Sequence, residues 1–289
     1  MQLLDGKKVS QEMYEKLQGE VAGFKKLNIH PKLAIILVGD DPASLSYIKQ
    51  KTKASDFIGI ESEFIQLKPD EVDTEKLIAR VHQLNTDPEV QGILVQLPLP
   101  RHISAPEVLK AVDPVKDVDG FTAYNIGKMF LSTEFEDLVP CTPLGVVKLL
   151  EHYDIPVSGK EVVVVGASNI VGKPMAIMLQ NRGATVTICN SKTKDLAAQT
   201  RRADILVVAV GKIQLITADM IKEGAVVVDV GMNRNAEGKL VGDVDFENVA
   251  PHASFITPVP GGCGPMTVAG LMENMIRAIR KQKNLPPHK

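Results

Sequence analysis

The sequence predicts an α/β fold with two domains, and three observations lead to this prediction. Short apolar runs alternate with helical segments along most of the chain, which is typical of parallel sheets joined by crossover helices. The chain has 289 residues, which suits about two domains of ~150 residues each. It is 44% hydrophobic and 24% charged, as ordinary globular proteins are. This balance argues against a disordered or fibrous protein.

Charge and cysteine content indicate which partners and which cellular compartment to expect. The 33 lysines and arginines nearly balance the 35 acidic residues, so no general attraction to nucleic acid or to anionic membranes is expected. Cys141, Cys189 and Cys263 lack the close pairs of a zinc site and the density of a disulfide scaffold. The N-terminus turns polar at once, and no apolar run reaches the ~18 residues of a membrane span. We expect a reduced, cytoplasmic protein.

The first half predicts alternating helices and strands. Apolar residues three or four apart between Val9 and Phe24 predict a surface helix. A buried strand at 33–38 ends before Asp41, which we expect to cap a helix over 42–57 that begins with Pro42. Further predicted elements are strands at 64–67 and 92–95 and a helix at 74–84. Because ligands bind beyond the carboxyl ends of parallel strands, residues that follow these strands are candidates for a site.

The second half predicts a doubly wound nucleotide-binding domain. Its short, mostly apolar runs lie at 161–165, 184–188, 205–210, 225–230 and 254–256, and a helix over 266–280 follows. We place the boundary near 140–145. The prediction is therefore one domain of residues 1–140, joined by the C-terminal segment 266–289, and a second domain of residues 141–265.

A small-residue turn between a strand and a helix is the first candidate site. Gly166, Ala167 and Ser168 follow four valines and precede a predicted helix start. Backbone N–H groups at the positive end of that helix suit a pyrophosphate. Ser168 replaces the second glycine of the usual dinucleotide fingerprint, and the last glycine comes one residue late. The alternative is a plain strand-to-helix turn.

The next strand ends in a loop without a carboxylate. NAD enzymes usually carry an acid there for the ribose hydroxyl, whereas this loop contains Ser191 and Lys192. A hydroxyl and a lysine suit a 2′-phosphate, which favours NADP over NAD. The alternative is a solvated loop with an ordinary surface lysine.

Tyr47 and Lys51 are four residues apart on a predicted helix, so both side chains lie on one face. Desolvation lowers the pKa of a lysine amine and makes proton transfer near neutral pH possible. The alternative is a surface lysine that extends beside a half-buried tyrosine. Gln96, just past a strand, either belongs to a polar pocket or satisfies backbone groups.

Residues 117–120 begin like a calcium loop, but the third ligand and the terminal glutamate are missing, so we predict no metal site. A carboxylate here, such as that of Asp119, suits paired hydrogen bonds from an amino-pyrimidine ring, or else it stabilises its own turn. The segment 257–267 combines three prolines with three glycines before a helix. We expect its backbone to approach a flat ligand, and the alternative is an irregular connector.

Together these motifs resemble the bifunctional methylenetetrahydrofolate dehydrogenase/methenyltetrahydrofolate cyclohydrolase family. The resemblance covers nearly the whole chain, in order, and it rests on Tyr47, Lys51 and the segments 95–100, 116–120, 166–172 and 258–267. It implies NADP-linked oxidation of 5,10-methylenetetrahydrofolate to the methenyl cation, followed by hydrolysis to 10-formyltetrahydrofolate. It also implies a Rossmann-like NADP-binding domain at 141–265, an active-site cleft between the domains, a homodimer, and a place in purine and amino-acid biosynthesis.

The resemblance also assigns roles to residues. Lys51 is the principal catalytic residue, Gln96 supports it, Tyr47 stacks on or positions the folate, and Asp119 holds the pterin ring. The other substrate-binding residues are Val95, Leu97, Pro260, Gly261, Gly262, Pro265 and Thr267. The cofactor-binding residues are Gly166, Ala167, Ser168, Ser191, Lys192 and Met232, where Met232 replaces a common isoleucine.

Two other functions fit parts of the sequence. A monofunctional methylenetetrahydrofolate dehydrogenase would keep the fold but lack the hydrolytic step, and the presence of Tyr47 and Lys51 argues against it. A noncatalytic NADP-binding regulatory protein would need a first half that binds other proteins, and the motifs there argue against this.

Overall fold

The structure is a computed structural model that describes residues 1–287, so the last two residues of the predicted segment 266–289 lie outside it. In the described part, the strands in chain order are β1 (Gln2–Leu3), β2 (Lys32–Val38), β3 (Glu61–Leu67), β4 (Gly92–Val95), β5 (Glu161–Val165), β6 (Thr185–Cys189), β7 (Ile205–Val208), β8 (Val226–Asp229), β9 (Asn233–Arg234), β10 (Leu240–Val241) and β11 (Phe255–Ile256). The α-helices are α1 (Gly6–Lys26), α2 (Pro42–Ile58), α3 (Thr74–Thr86), α4 (Ala105–Ala111), α5 (Ala123–Leu131), α6 (Cys141–His152), α7 (Gly172–Asn181), α8 (Leu196–Thr200), α9 (Phe246–Val249) and α10 (Cys263–Gln282).

The chain divides into two compact units. The three-stranded unit comprises Glu12–Lys128, Glu134–Cys141 and the chain from Val268 onward. The six-stranded unit comprises Met1–Gln11, Met129–Thr133 and Thr142–Thr267. Both are built around parallel sheets, so the predicted two-domain α/β fold is confirmed.

The three-stranded unit has β2 at its centre, with β3 and β4 paired parallel on either side. Every residue of β2 after Lys32 is buried, because alternate side chains enter two different apolar clusters. Leu33 and Ile35 contact a cluster that includes residues of α1, α2 and α10, while Ala34 and Ile36 contact one that includes α3. Burial on both faces explains the unbroken apolar run in the sequence.

Local signals set the start and end of α2. The Asp41 carboxylate accepts a hydrogen bond from Ser44 N at 2.8 Å, and Pro42 occupies the first helical position, as predicted. The helix ends at Gly59, whose φ of 88° is in the left-handed region. This helix, which follows β2 in the chain, carries Tyr47 and Lys51.

The six-stranded sheet has the order β1-β11-β8-β7-β5-β6, with all neighbours parallel. The central strands β5, β7 and β8 are almost wholly buried, whereas the edge strand β6 leaves part of its surface exposed. The carboxyl ends of β5 to β8 therefore lie along one edge of the sheet, where the candidate cofactor residues follow.

Several features of the structure differ from the sequence prediction. The strand β1 is not predicted, and its pairing with β11 places residues 1–11 in the six-stranded unit. β7 ends at Val208 rather than at residue 210, because the N–H of Val210 donates to the Asp243 carboxylate. α10 begins at Cys263 rather than at residue 266, since Pro265 lies in the first turn, where an N–H would have no partner.

Among residues 1–287, no helix combines the length and the apolar character that a membrane crossing requires.

Candidate functional site

The structure brings Lys51 and Gln96 together in the three-stranded unit. Lys51 Nζ donates a hydrogen bond to Gln96 Oε1 at 3.0 Å, although the residues are 45 positions apart. Both side chains are about 9% exposed. Lys51 is thus a buried amine held by an uncharged acceptor, and the alternative of an exposed surface lysine is wrong.

Two hydrogen bonds hold Gln96 in place, one from its backbone and one from its side chain. Its backbone N–H continues the sheet by donating to Ile36 O at 2.8 Å, and its side-chain Nε2 donates to Leu97 O at 2.6 Å. With its amide nitrogen engaged, the side chain presents its oxygen to Lys51. Gln96 therefore orients the lysine amine at the carboxyl end of β4.

Asp119 lies on a turn that Asp117 organises. The buried Asp117 carboxylate accepts hydrogen bonds from the N–H groups of Gly120, Phe121 and Thr122 at 2.8–3.2 Å and from Asn125 Nδ2 at 3.0 Å. Asp117 thus has the turn-stabilising role, which leaves the neighbouring acid available for other partners.

The Asp119 carboxyl has an unusual electrostatic environment. Burial raises its pKa, and the nearby charge of Lys51 opposes this effect by favouring the carboxylate. Lys51, Gln96 and Asp119 therefore form one polar group, which we call the lysine group. It combines an amine, an amide and a carboxyl, and these can bind a polar heterocycle and transfer protons.

Tyr47 lies one turn before Lys51 and is partly buried. Burial raises the pKa of its phenol, so the ring remains neutral at physiological pH. A neutral aromatic ring beside the lysine group suits contact with a flat ligand. Of the two other residues predicted in this unit, Val95 is buried in the apolar core, while Leu97 is partly exposed.

The sequence interpretation missed two residues that support Asp119. The buried Asn274 Nδ2 donates to Val118 O at 2.9 Å and to Val139 O at 2.7 Å. Cys141 Sγ lies 3.7 Å from Asp119 Oδ1, and burial together with the charge of Asp119 raises the pKa of this thiol well above its usual value. An asparagine inside a long apolar helix was the only sequence signal for Asn274, which is 156 positions from Val118.

The predicted small-residue turn lies at the carboxyl edge of the six-stranded sheet. Gly166 has a φ of 128°, and a Cβ there would lie 2.2 Å from Ala209 O. The Ser168 hydroxyl accepts hydrogen bonds from the N–H groups of Val171 and Gly172 at the start of α7. The tight turn leaves Ser168 and Asn169 exposed beside a helix N-terminus, an arrangement that fits a dinucleotide pyrophosphate.

We expect Gly166→Ala to lower the thermal unfolding midpoint by about 4–8 °C, because a backbone clash at a positive φ costs at least ~2 kcal/mol. The matched control is Gly127→Ala in α5, where an added Cβ meets no atom within 4 Å. This control should hold or raise the midpoint through helix propensity. Calorimetry of both variants checks the prediction, and equal midpoints would contradict the proposed clash.

The loop after β6 exposes both residues predicted to contact a 2′-phosphate. Asn190 and Thr193 close this loop, since Asn190 N donates to Thr193 Oγ1 and Lys192 N donates to Asn190 Oδ1. The side chains of Ser191 and Lys192 are exposed. Cys189 O accepts a hydrogen bond from Gly166 N at 2.9 Å, so the loop begins beside the glycine turn.

We expect the double variant Ser191→Ala/Lys192→Ala to reduce the ratio of kcat/KM for NADP over NAD by about ten- to a hundredfold. Each hydrogen bond to a charged phosphate contributes about 1.5–3 kcal/mol, part of which solvent screening removes at this exposed site. The control is Lys194→Ala, which removes a nearby exposed lysine. An unchanged ratio in the double variant would contradict the 2′-phosphate role.

Apolar side chains are exposed along the same sheet edge. Met232 is 40% exposed in the loop after β8, Val210 is 38% exposed after β7, and Ile170 is 40% exposed after the glycine turn. The sequence interpretation included Met232 but missed Val210 and Ile170. Such side chains provide flat apolar contacts for the rings of a dinucleotide.

The proline and glycine segment is also part of the six-stranded unit. Gly261 has a φ of 113°, its carbonyl accepts from Lys7 N at 2.9 Å, and Gly262 N donates to Pro258 O. Pro260 is exposed, whereas Gly262 is buried. Pro265 and Thr267 belong to α10 rather than to a loop, and Thr267 Oγ1 lies 3.0 Å from Thr142 Oγ1.

Fold and site together define a class of protein: an α/β enzyme with a dinucleotide-binding unit and a second unit that carries a buried polar group. Two family models match, "Tetrahydrofolate dehydrogenase/cyclohydrolase, catalytic domain" over residues 4–119 and its "NAD(P)-binding domain" over residues 140–283. The chain therefore belongs to the tetrahydrofolate dehydrogenase/cyclohydrolase family, which confirms the resemblance seen in the sequence.

Individual relatives match over nearly their full length. The bifunctional protein FolD of Nautilia profundicola is 52% identical over 280 residues, which are 97% of this chain and 98% of the relative. The crystal structure of the FolD methylenetetrahydrofolate dehydrogenase/cyclohydrolase from Campylobacter jejuni has a TM-score of 0.95 and 50% identity, covering 98% of this chain and 99% of that one. The Trypanosoma brucei enzyme, solved with NADP cofactor and an inhibitor, has a TM-score of 0.92 and 36% identity, with 96% and 97% covered.

Proposed function

We propose that the lysine group performs the folate chemistry of this enzyme. As a family member, the chain is a bifunctional enzyme of folate one-carbon metabolism. It oxidises 5,10-methylenetetrahydrofolate to the 5,10-methenyl compound with NADP, and it hydrolyses that compound to 10-formyltetrahydrofolate. The observation that best supports the role of the lysine group is the buried hydrogen bond between Lys51 Nζ and Gln96 Oε1.

In the first reaction the protein mainly binds and orients. Asp119 accepts paired hydrogen bonds from the amino-pyrimidine part of the pterin, and the Tyr47 ring lies against the folate. When bound, NADP supplies the acceptor for the hydride that leaves the methylene carbon. Because hydride transfer needs two flat rings held face to face, this positioning accounts for most of the protein's contribution.

In the second reaction Lys51 transfers protons. Water adds to the methenyl carbon, and Lys51 is placed to accept a proton from that water. The hydroxyl of the adduct then loses its proton to solvent as the formyl C=O bond forms, and the bond from this carbon to N5 breaks as N5 receives the first proton, leaving the formyl group on N10. Gln96 holds the Lys51 amine in place through an uncharged oxygen.

We assign the cofactor to the carboxyl edge of the six-stranded sheet. Gly166, Ala167 and Ser168 receive the pyrophosphate, Ser191 and Lys192 the 2′-phosphate, and Met232 a ring. In this proposal the three-stranded unit provides most of the folate contacts and the six-stranded unit binds NADP. We further propose that Leu97, Pro260, Gly261, Gly262, Pro265 and Thr267 contact the folate, whereas the side chain of Val95 is buried in the apolar core.

A single assay tests the proposed function and its alternatives. Pure protein is mixed with 5,10-methylenetetrahydrofolate and either NADP or NAD, and both the reduced cofactor and the methenyl chromophore are followed. We expect reduced NADP without lasting methenyl accumulation. Persistent methenyl would indicate a monofunctional dehydrogenase, faster reduction of NAD would overturn the cofactor assignment, and NADP binding without reduction would indicate a noncatalytic protein.

We further propose that the enzyme is a homodimer that pairs through the edge strand β6. This strand has a neighbour on one side only, and Ile188 on it is 40% exposed, so a second copy can extend the sheet and cover this side chain. We expect native mass spectrometry to show a dimer for the wild type and a monomer for Ile188→Glu. A wild-type monomer, or a dimer in the variant, would contradict this interface.

We also infer that the enzyme works in the cytoplasm and that its product serves purine and amino-acid biosynthesis. The three buried free cysteines Cys141, Cys189 and Cys263 support a reducing compartment. A strain that lacks the gene, grown with and without added purines and amino acids, tests the metabolic role.

A further inference from the structure

A buried carboxylate in the six-stranded unit has no role in the proposed chemistry. Asp243 is fully buried, and its two oxygens accept four hydrogen bonds. Oδ2 accepts from the N–H groups of Val210 at 2.7 Å and Gly211 at 3.0 Å, and Oδ1 accepts from Lys212 N and Asn233 Nδ2, both at 2.8 Å. One carboxylate thus connects two loops that follow different strands.

These two loops lie at the carboxyl edge of the sheet, next to the glycine turn. Ala209 N donates to Val165 O at 2.7 Å, so the loop after β7 begins beside Gly166. Val230 N donates to Val208 O at 2.8 Å. The loop after β8, which carries Met232, therefore begins beside the loop after β7. Asp243 therefore fixes the backbone of the two segments that carry the exposed side chains of Val210 and Met232.

A second buried carboxylate holds Asp243 in place. Asp229 Oδ1 accepts from Gly231 N at 2.8 Å and from Asp243 N at 3.0 Å, and Asp229 Oδ2 accepts from Val244 N at 2.9 Å. The packing leaves no spare room, because a Cβ on Gly231 would lie 2.3 Å from Asp243 Cγ. Burial raises the pKa of Asp229 to about 6, and the charge of Asp243 acts in the same direction.

We propose that Asp243 is a positioning residue for the cofactor, acting through the loops that carry Val210 and Met232. The inference rests on the proposed cofactor role of this sheet edge. Asp243 is 33 positions from Val210, and its burial leaves it without direct access to a ligand. Its effect is therefore on the placement of the binding loops rather than on contact with the cofactor.

The substitution Asp243→Asn tests this role without changing side-chain size. An asparagine has one oxygen, so two of the four donors lose their acceptor and face an NH₂ group instead. The matched control is Asp245→Asn, two residues away, where the carboxylate accepts from Asn248 Nδ2 and supports no cofactor loop. A milder variant, Asn233→Ala, removes one donor and leaves the carboxylate unchanged.

The bifunctional reaction supplies an internal control, because hydrolysis of methenyltetrahydrofolate needs no NADP. We expect Asp243→Asn to raise the KM for NADP and the Kd for NADPH, measured by its fluorescence, by about tenfold or more. Cyclohydrolase kcat and the KM for the folate should change by less than twofold. Asn233→Ala should show the same pattern with a smaller increase, and Asp245→Asn should match the wild type.

Two results would overturn the proposal. An unchanged Kd for NADPH in Asp243→Asn would show that the loops do not depend on this carboxylate, and an equal loss of both activities would indicate a general structural role. If Asp243→Asn does not fold, Asn233→Ala decides between the same outcomes. Wild-type protein that binds no NADPH would instead refute the proposed cofactor site itself.

Discussion

Replacing Lys51 with methionine is expected to lower cyclohydrolase kcat by about 10²- to 10⁴-fold, the usual contribution of a positioned acid–base group. Methionine approximates the length and apolar stem of the lysine side chain but has no amine. The buried Gln96 oxygen then loses its donor, and the amine proposed to accept the proton of the attacking water is gone. The folate KM should change less, because Asp119 and Tyr47 remain.

Rapid-scan absorbance of methenyltetrahydrofolate, corrected for spontaneous hydrolysis, measures this loss. Lys53→Met is the matched control, since Lys53 is an exposed lysine on the same helix. We expect it to keep wild-type rates. A Lys51→Met protein that hydrolyses the methenyl compound at the wild-type rate would falsify the assignment of Lys51 as the principal catalytic residue.

Replacing Asp119 with alanine is expected to raise the Kd for tetrahydrofolate by about a hundredfold. Two hydrogen bonds from the pterin to a carboxylate, each worth about 1.5–3 kcal/mol before compensation by water, account for this size. The turn itself should persist, because Asp117 and Asn274 hold its backbone. Anaerobic calorimetry measures the Kd, with Asp56→Ala, a change at an exposed aspartate, as control.

The same carboxyl predicts a dependence of folate binding on pH. Burial raises the pKa of Asp119, so the carboxylate is lost at a higher pH than that of an exposed aspartate. Binding should therefore be strongest above this raised pKa and weaken as the pH falls through it. The Asp119→Ala variant should lose this dependence. A folate Kd equal to the wild-type value in that variant would refute the role of Asp119.

Several elements of the fold were predictable because their signals are local. The buried strand β2 and the Asp41-Pro42 start of α2 follow from a short apolar run, a capping side chain and a fixed proline φ. The valine run and glycine turn at Gly166 predicted β5 and the start of α7 in the same way. The two-residue strand β1 was missed because such a short segment has no periodicity of its own.

The residues of the candidate site were predictable to the same extent, because only some of them carry local signals. Tyr47, Lys51, Gln96, Asp119 and the glycine turn were named from motifs, since residue type and spacing within a few positions are visible in a linear chain. Their partners were not, because Lys51 meets Gln96 over 45 positions and Asn274 reaches Val118 over 156.

The four donors to Asp243 are 10 to 33 positions away, and no spacing rule relates them to this aspartate. Local sequence therefore predicts most of the strands and helix starts and the candidate site residues of this enzyme. Which buried group holds each of them is a consequence of folding, because burial brings distant residues together and most of their polar atoms then pair with one another.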